Sequence, residues 1–239
     1  MMRASYRRVR KGARLTLRLF ADLPRILEIL IRELRRKGLW VATLYLHDHV
    51  VRLATGAPPA IYSRITPHLH VGGQYTASGW ERLRERGITA VVNMRDEFDD
   101  AEAGVAPERY LFLPTVDDTP PTVAQLCQGV RFIHQEIQAG GEVYVHCMLG
   151  VGRSVTMIAA YLVATGMKPS AAWRTIRRRR PFIQPTVGQE ARLVEFAAQE
   201  IDFDVAPEEV EPEEIEGDEA ALAGANDSKP MGTTNKPTL

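Results

Sequence analysis

Apolar positions change their spacing several times along this chain, and each change predicts an element. Leu23, Leu27, Leu30 and Leu34 fall on one helical face that Ile26 and Ile31 widen, while Arg25, Arg32, Arg35 and Arg36 lie largely off it. Pro24 suits the start of that helix and Gly38 its stop; Leu39 to Leu46 then supplies a second apolar segment. Tyr110 to Leu113 reads as a strand, and Val123, Leu126, Cys127, Val130, Ile133 and Ile137 repeat at helical spacing. Val143, Tyr144 and Val145 form a short apolar run, and Ser154 to Ala164 a longer, mostly apolar one that reads as a buried helix. From about 68 to 200 the order is strand, helix, strand, strand, helix, strand, loop, then three helices. That alternation predicts an α/β layer fold with a central, largely parallel sheet, preceded by N-terminal amphipathic helices.

Charge divides the chain into three. The net charge is zero, yet residues 1–38 hold twelve Lys/Arg against three acidic residues, and residues 200–219 hold eleven acidic residues and no basic one. We therefore expect a basic helical extension over 1–58, the α/β domain over 59–200 and an acidic, disordered tail over 201–239. No run approaches the ~20 apolar residues needed to span a bilayer. Arg18, Asp22, Pro24 and Arg25 interrupt any secretory signal core. The basic extension has two readings: a peripheral dock on an anionic membrane, or packing against the domain with its arginines in solvent. The first twenty residues are Arg-rich and acid-free, so a mitochondrial presequence is a lesser reading beside a cytoplasmic location with membrane association.

The chemistry lies between the fourth strand and the helix after it, in His146-Cys147-Met148-Leu149-Gly150-Val151-Gly152-Arg153-Ser154. A strand, a glycine-bearing turn and a helix N-terminus gather unpaired N–H groups and the helix dipole at one spot, which is an anion site. There a cysteine is held as its nucleophilic thiolate. The backbone of Met148, Leu149, Gly150, Val151 and Gly152 supplies phosphate donors, and the Arg153 fork grips two oxygens at once. Cys147 would attack phosphorus. The leaving oxygen needs a proton from a facing carboxylic acid, and Asp117 and Asp118, in Leu113 to Pro121, are the candidates. Ser154 would assist expulsion of the sulfur in the second step.

These residues resemble the signature loop of the cysteine-dependent protein tyrosine phosphatases, in the compact dual-specificity branch. His68 to Gly73 resembles that domain's opening strand, Trp80 to Met94 its first helix and second strand, and Arg180 to Thr186 its late loop. Within the branch, the Val116-Asp117-Asp118-Thr119 stretch and the Tyr144 to Cys147 strand are most similar to the mitochondrial lipid-phosphatase-like subgroup and its bacterial and plant relatives. The resemblance implies a three-layer phosphatase fold and hydrolysis of phosphoric monoesters through a phosphocysteine. Phosphoproteins come first as substrates, with phospholipids at a membrane surface as the alternative. Members of the lipid subgroup carry a lysine after the cysteine, where this chain has Met148. Alignment on the trailing Pro120-Pro121 favours Asp117 as the acid, and alignment on Asp118-Thr119 favours Asp118; Asp117 is placed ahead.

Other readings weaken or narrow the field. Thiosulfate or arsenate chemistry also uses a cysteine on an anion loop, but the aspartate loop and Ser154 argue against it. A phosphate-binding pseudoenzyme or adaptor usually lacks one of the three chemical groups present here. His146 is expected to support the loop and tune Cys147, and Gln184 and Gln189 could orient water or be ordinary polar surface. Arg177 to Arg180 reads as a solvated helix end, and nucleic-acid binding is not expected without interleaved aromatics. His47, His49, His68 and His70 have no cysteine or carboxylate cluster to complete a metal site, and no cofactor is expected. Two cysteines give no disulfide framework, and Cys127 reads as a small core residue.

Overall fold

The structure, a computed structural model, describes residues 23–199. The acidic stretch from Glu200 onward and the first twenty-two residues lie outside the described residues.

Four parallel strands make one sheet in the order β1-β4-β2-β3: β1 is Leu69–Gly72, β2 Ile88–Arg95, β3 Arg109–Thr115 and β4 Glu142–His146. The two interior strands are covered on both faces, which is why they read as apolar runs rather than alternating ones. Along β4, Val143 and Val145 join the large core, while Tyr144 belongs to a cluster with Tyr75, Leu83, Ile88 and Val91. The period of two along a strand thus produces the two faces of a three-layer fold.

Among the described residues, seven further helices cover those faces before, between and after the strands. Ala60–Ser63 (α2), Ala77–Glu85 (α3) and the short Asp100–Ala103 (α4) precede β3; Val123–Gln138 (α5) precedes β4. Arg153–Ala164 (α6), Pro169–Arg179 (α7) and Val187–Ala197 (α8) follow it. Helix α6 is buried from Arg153 to Leu162, which explains its nearly continuous apolar composition. Both α5 and α8 begin with complete capping boxes, Thr122 with Gln125 and Thr186 with Gln189, fixing where each chain turn becomes helix.

Ahead of this domain runs α1, Leu23–Thr55. It is one element broken at Gly38, whose φ of 83° and ψ of 177° are not helical; the left-handed φ is one that glycine adopts without a Cβ penalty. Its inner residues Ile26, Ile29 and Tyr45 form a separate cluster with Leu149, Val151 and Phe182. That cluster presses α1 onto the loop after β4 and onto the loop after α7. No described helix is long and apolar enough to cross a membrane.

One expectation needs correcting. Arg177 to Arg179 close α7 in solvent, but Arg180 leaves the helix and is fully buried. Four consecutive basic residues hid one inward-facing member, because the chain turns out of helical geometry at the last of them.

Ile158 is fully buried in the main core at the middle of α6. Ile158→Ala is expected to lower the free energy of unfolding by about 2–5 kcal/mol, measured by denaturant titration.

Candidate active site

The loop from Cys147 to Gly152 joins β4 to α6 at the carboxyl edge of the sheet, where open α/β folds bind ligands. Its shape follows from where its carbonyls go. Met148 O accepts from the Gln74 N–H (3.0 Å) and Val151 O from the Gln184 N–H (2.8 Å). Leu149 O and Gly150 O accept from the Arg180 guanidinium at 3.3 and 2.7 Å. Gly152 O accepts from the N–H and the hydroxyl of Thr156. Five successive carbonyls are therefore held outward. In a planar trans peptide the N–H points opposite to the C=O of the same unit, so the following N–H groups are turned toward the other side. The Gly150 N–H meets the Cys147 sulfur at 3.3 Å. Gly150 itself has φ +71°, and a Cβ there would lie 2.4 Å from the Gly72 carbonyl carbon, so only glycine fits.

Cys147 is buried, and burial pushes its thiol up. The Arg153 charge, the hydroxyl and N–H of Ser154 and the Gly150 N–H act the other way and bring it below the ordinary thiol value. The Ser154 hydroxyl stands 3.4 Å from the sulfur. Arg153 is almost completely buried, and the thiolate charge together with Glu97 and Asp117 keeps it protonated despite that burial. Its Nη1 donates to Thr115 O (2.8 Å) and to Glu97 (2.9 Å), and its Nη2 lies 3.0 Å from Asp117. Nε is buried and has no hydrogen-bond partner among the described residues. A guanidinium clamped at one edge keeps its Nε edge for an anion.

A polar chain connects the two ends of this loop, and sequence reasoning missed its middle. His146 lies 2.7 Å from Asp100 through Nε2 and 3.3 Å from Cys147 O through Nδ1. Asp100 accepts from Gln74 (2.7 Å), Gln74 accepts from Arg95 (3.0 Å), and Arg95 donates to Glu97 (2.8 Å), which returns to Arg153. Burial works against ionisation of Glu97, but Arg153 and Arg95 hold its carboxyl well below the usual range. The signal for these residues was available: Arg95 to Asp100 is a charged run at the carboxyl end of an interior strand, where ligand sites of such sheets lie. His146 is gripped further by a stacked Tyr144 and an edge-on Tyr75.

The two candidate acids diverge. Asp117 turns toward Arg153 and lines the same pocket as Cys147. Asp118 adopts φ 59°, a left-handed conformation that aspartate tolerates, and its carboxylate pairs with Arg25 of α1. The loop carrying both is held from α8, by the Thr186 hydroxyl on Asp118 O (3.3 Å) and Gln189 Nε2 on Thr119 O (3.0 Å). Gln189 is thus a fully buried brace against Gly152 rather than polar surface. Gln184 faces α1, bonded to Glu33 (2.5 Å) and Arg32 (3.3 Å).

A pocket of about 390 Å³ opens over Cys147. Met148, Leu149, Val151, Ile183 and Pro185 supply apolar wall; Arg25, Arg32, Arg36 and Lys37 of α1 and Arg177 of α7 supply cations. The remaining residues singled out lie elsewhere. Cys127 is half-buried against the main core. His49 is buried, with its pKa lowered to about 3 by desolvation and Arg52. No group of three or more His, Cys, Asp or Glu among the described residues could hold a metal ion.

Residues 69–199 match the family model of the dual specificity phosphatase catalytic domain. Human dual specificity protein phosphatase 22 is 30% identical over 141 residues, covering 58% of this chain and 75% of that protein. The phosphatidylglycerophosphate phosphatase PTPMT1 of Arabidopsis thaliana is 29% identical over 141 residues, covering 56% of this chain and 42% of that protein. Human dual specificity protein phosphatase 1 is matched over only 37% of its length, at 31% identity over 56% of this chain. Among solved structures, PTPMT1 in complex with PI(5)P is 31% identical with a TM-score of 0.52, covering 56% of this chain and 92% of that one. Helix α1 lies before the residues that the family model matches. This chain belongs to the dual specificity phosphatase family, and residues 69–199 are its catalytic domain.

Proposed function

We propose that the chain hydrolyses phosphoric monoesters through a phosphocysteine formed on Cys147. The observation that carries this reading is the Cys147 sulfur, approached by the Gly150 N–H and the Ser154 hydroxyl and stabilised by Arg153. In the first step the thiolate forms an S–P bond as the ester P–O bond breaks, and Asp117 in its acid form protonates the leaving oxygen. In the second, water attacks phosphorus, Asp117 takes the water's proton, the S–P bond breaks and inorganic phosphate leaves. Ser154 stabilises the departing thiolate. Arg153 and the loop N–H groups follow the phosphoryl oxygens through both transition states. The scheme calls on no metal or cofactor.

For the substrate, the pocket favours a phosphorylated lipid head group at an anionic membrane over the phosphoprotein that the sequence put first. Five cations from α1 and α7 line the pocket against three carboxylates, Glu33, Asp117 and Asp118, of which Glu33 pairs with Lys37 and Asp118 with Arg25; α1 also exposes Leu27, Ile31 and Leu34 along one line and Trp40 beyond the break. Cations and exposed apolar side chains on one helix suit an interfacial position. A phosphoprotein is the second reading, favoured by the apolar wall of Met148, Val151, Ile183 and Pro185, which suits an aryl ring.

Four outcomes are expected. Iodoacetamide should alkylate Cys147 with an inflection below the ~8.5 of a free thiol, the rate falling as pH drops through it; an inflection at or above that value removes the thiolate from the scheme. Cys147→Ser should abolish turnover with the fold intact. Asp117→Asn should slow poor leaving groups by about 10²- to 10⁴-fold and good ones far less; if Asp118→Asn does this instead, the acid is Asp118. For the substrate, phosphate release from an anionic phosphomonoester lipid in vesicles should exceed release from phosphotyrosine and phosphoserine peptides. The reverse order returns the assignment to phosphoproteins, and release no greater than that of Cys147→Ser from all three sinks the hydrolase reading.

A further inference from the structure

We propose that Asp48, acting through Arg180, is a positioning residue of the phosphate cradle, which makes the N-terminal helix α1 a working part of the active site. Asp48 lies in the second half of α1, before the residues matched by the phosphatase family model. Both side chains are fully buried. The pair is bidentate, Arg180 Nη1 to Asp48 Oδ1 at 3.0 Å and Nη2 to Oδ2 at 3.2 Å.

The same guanidinium spends its other hydrogens on the cradle. Nε donates to Gly150 O and Nη2 to Leu149 O, with a further bond from Nη1 to Tyr62 O (3.3 Å). The Leu149 carbonyl and the Gly150 N–H belong to one peptide plane, so pulling the carbonyl outward points the N–H at the Cys147 sulfur. The Gly150 carbonyl likewise sets the plane that carries the Val151 N–H. A lysine in place of Arg180 could not hold two carbonyls and a carboxylate in one plane. Phe182 lies beneath the guanidinium, 4.4 Å from its carbon to the ring centroid, and completes its fixation. Arg180 therefore converts a contact on α1 into the direction of a donor in the site.

A buried arginine without its carboxylate is an uncompensated charge that destabilises the fold, so the test must separate lost stability from lost cradle geometry. The inference rests on the phosphocysteine reading for what the cradle holds, yet its test reads the cradle without turnover. In the full chain, the variants are D48N, which removes the charge, and D48N/R180M, which removes the unpaired arginine as well and keeps its bulk. Three quantities are measured: the pH dependence of Cys147 alkylation by mass spectrometry, the dissociation constant for inorganic phosphate, and the thermal midpoint. R82Q/R84Q, two exposed cations on α3 outside the pocket, serves as the charge control.

In D48N the alkylation inflection should rise toward that of a free thiol, and the phosphate dissociation constant should increase about tenfold, as for loss of a charge-assisted contact. In D48N/R180M the thermal midpoint should recover toward wild type while both cradle readouts stay displaced. A fully structural role predicts that recovered stability brings recovered titration, and that result overturns the proposal. So does a folded D48N with wild-type titration and phosphate binding, as does loss of fold in both variants. Absence of turnover by the wild type, with these displacements present, would instead count against the proposed function alone.

Discussion

The site depends on one constraint: every carbonyl between Met148 and Gly152 has a donor outside the loop. A loop left to itself would turn some of those carbonyls inward, where they would repel both the thiolate and a phosphate. Outward anchoring makes the backbone polarity uniform, and the dipole of α6 adds to it. Four parts of the fold provide the anchors: the Gln74 N–H after β1, the Arg180 side chain after α7, the Gln184 N–H before α8 and Thr156 in α6. The low thiol value of Cys147 is thus a property of the tertiary structure, even though all the groups that lower it lie within seven residues of it.

A second constraint concerns Arg153, which must be held rigidly by carboxylates and a carbonyl while its Nε edge stays open to an anion. Glu97 grips it, Thr115 O takes a further hydrogen, and Nε is left without a partner among the described residues. Glu97 is in turn held by Arg95, and that residue by Gln74, which also binds Asp100 beneath His146. The nucleophile and the phosphate-binding guanidinium are consequently oriented by the same buried chain. Polar groups in such a chain are satisfied together or are costly together. That coupling accounts for a run of charged residues at the end of an interior strand, a place where apolar side chains would otherwise suffice.

How much of this was legible in the sequence follows from the range of each interaction. Cys147, Arg153 and Ser154 sit in one local turn, so spacing alone brought them together, and the strand before and helix after them were readable from periodicity. The choice between Asp117 and Asp118 needed a backbone angle: with Asp118 at φ 59°, adjacent carboxylates point to different partners. Glu97, Asp100 and Gln74 meet the loop only through sheet order, because β1 and β2 flank β4 in space and not in sequence. Arg180 was masked by its neighbours, since composition treats four arginines alike whereas the fold buries one and leaves three in solvent.

Helix α1 is where the sequence pattern was most ambiguous and the structure is most specific. Its leucines and arginines are equally compatible with a membrane dock and with packing, because both need one apolar face. The structure divides the helix by face. Ile26, Ile29 and Tyr45 pack inward onto Leu149, Val151 and Phe182; Arg25, Arg32, Arg36 and Lys37 line the pocket; Leu27, Ile31 and Leu34 remain exposed. Packing and interfacial roles therefore do not compete for the same side chains. A helix fixed on one face to the catalytic loop, and carrying an unburied apolar row on another, would hold the cradle at a set depth beneath any surface that the row enters.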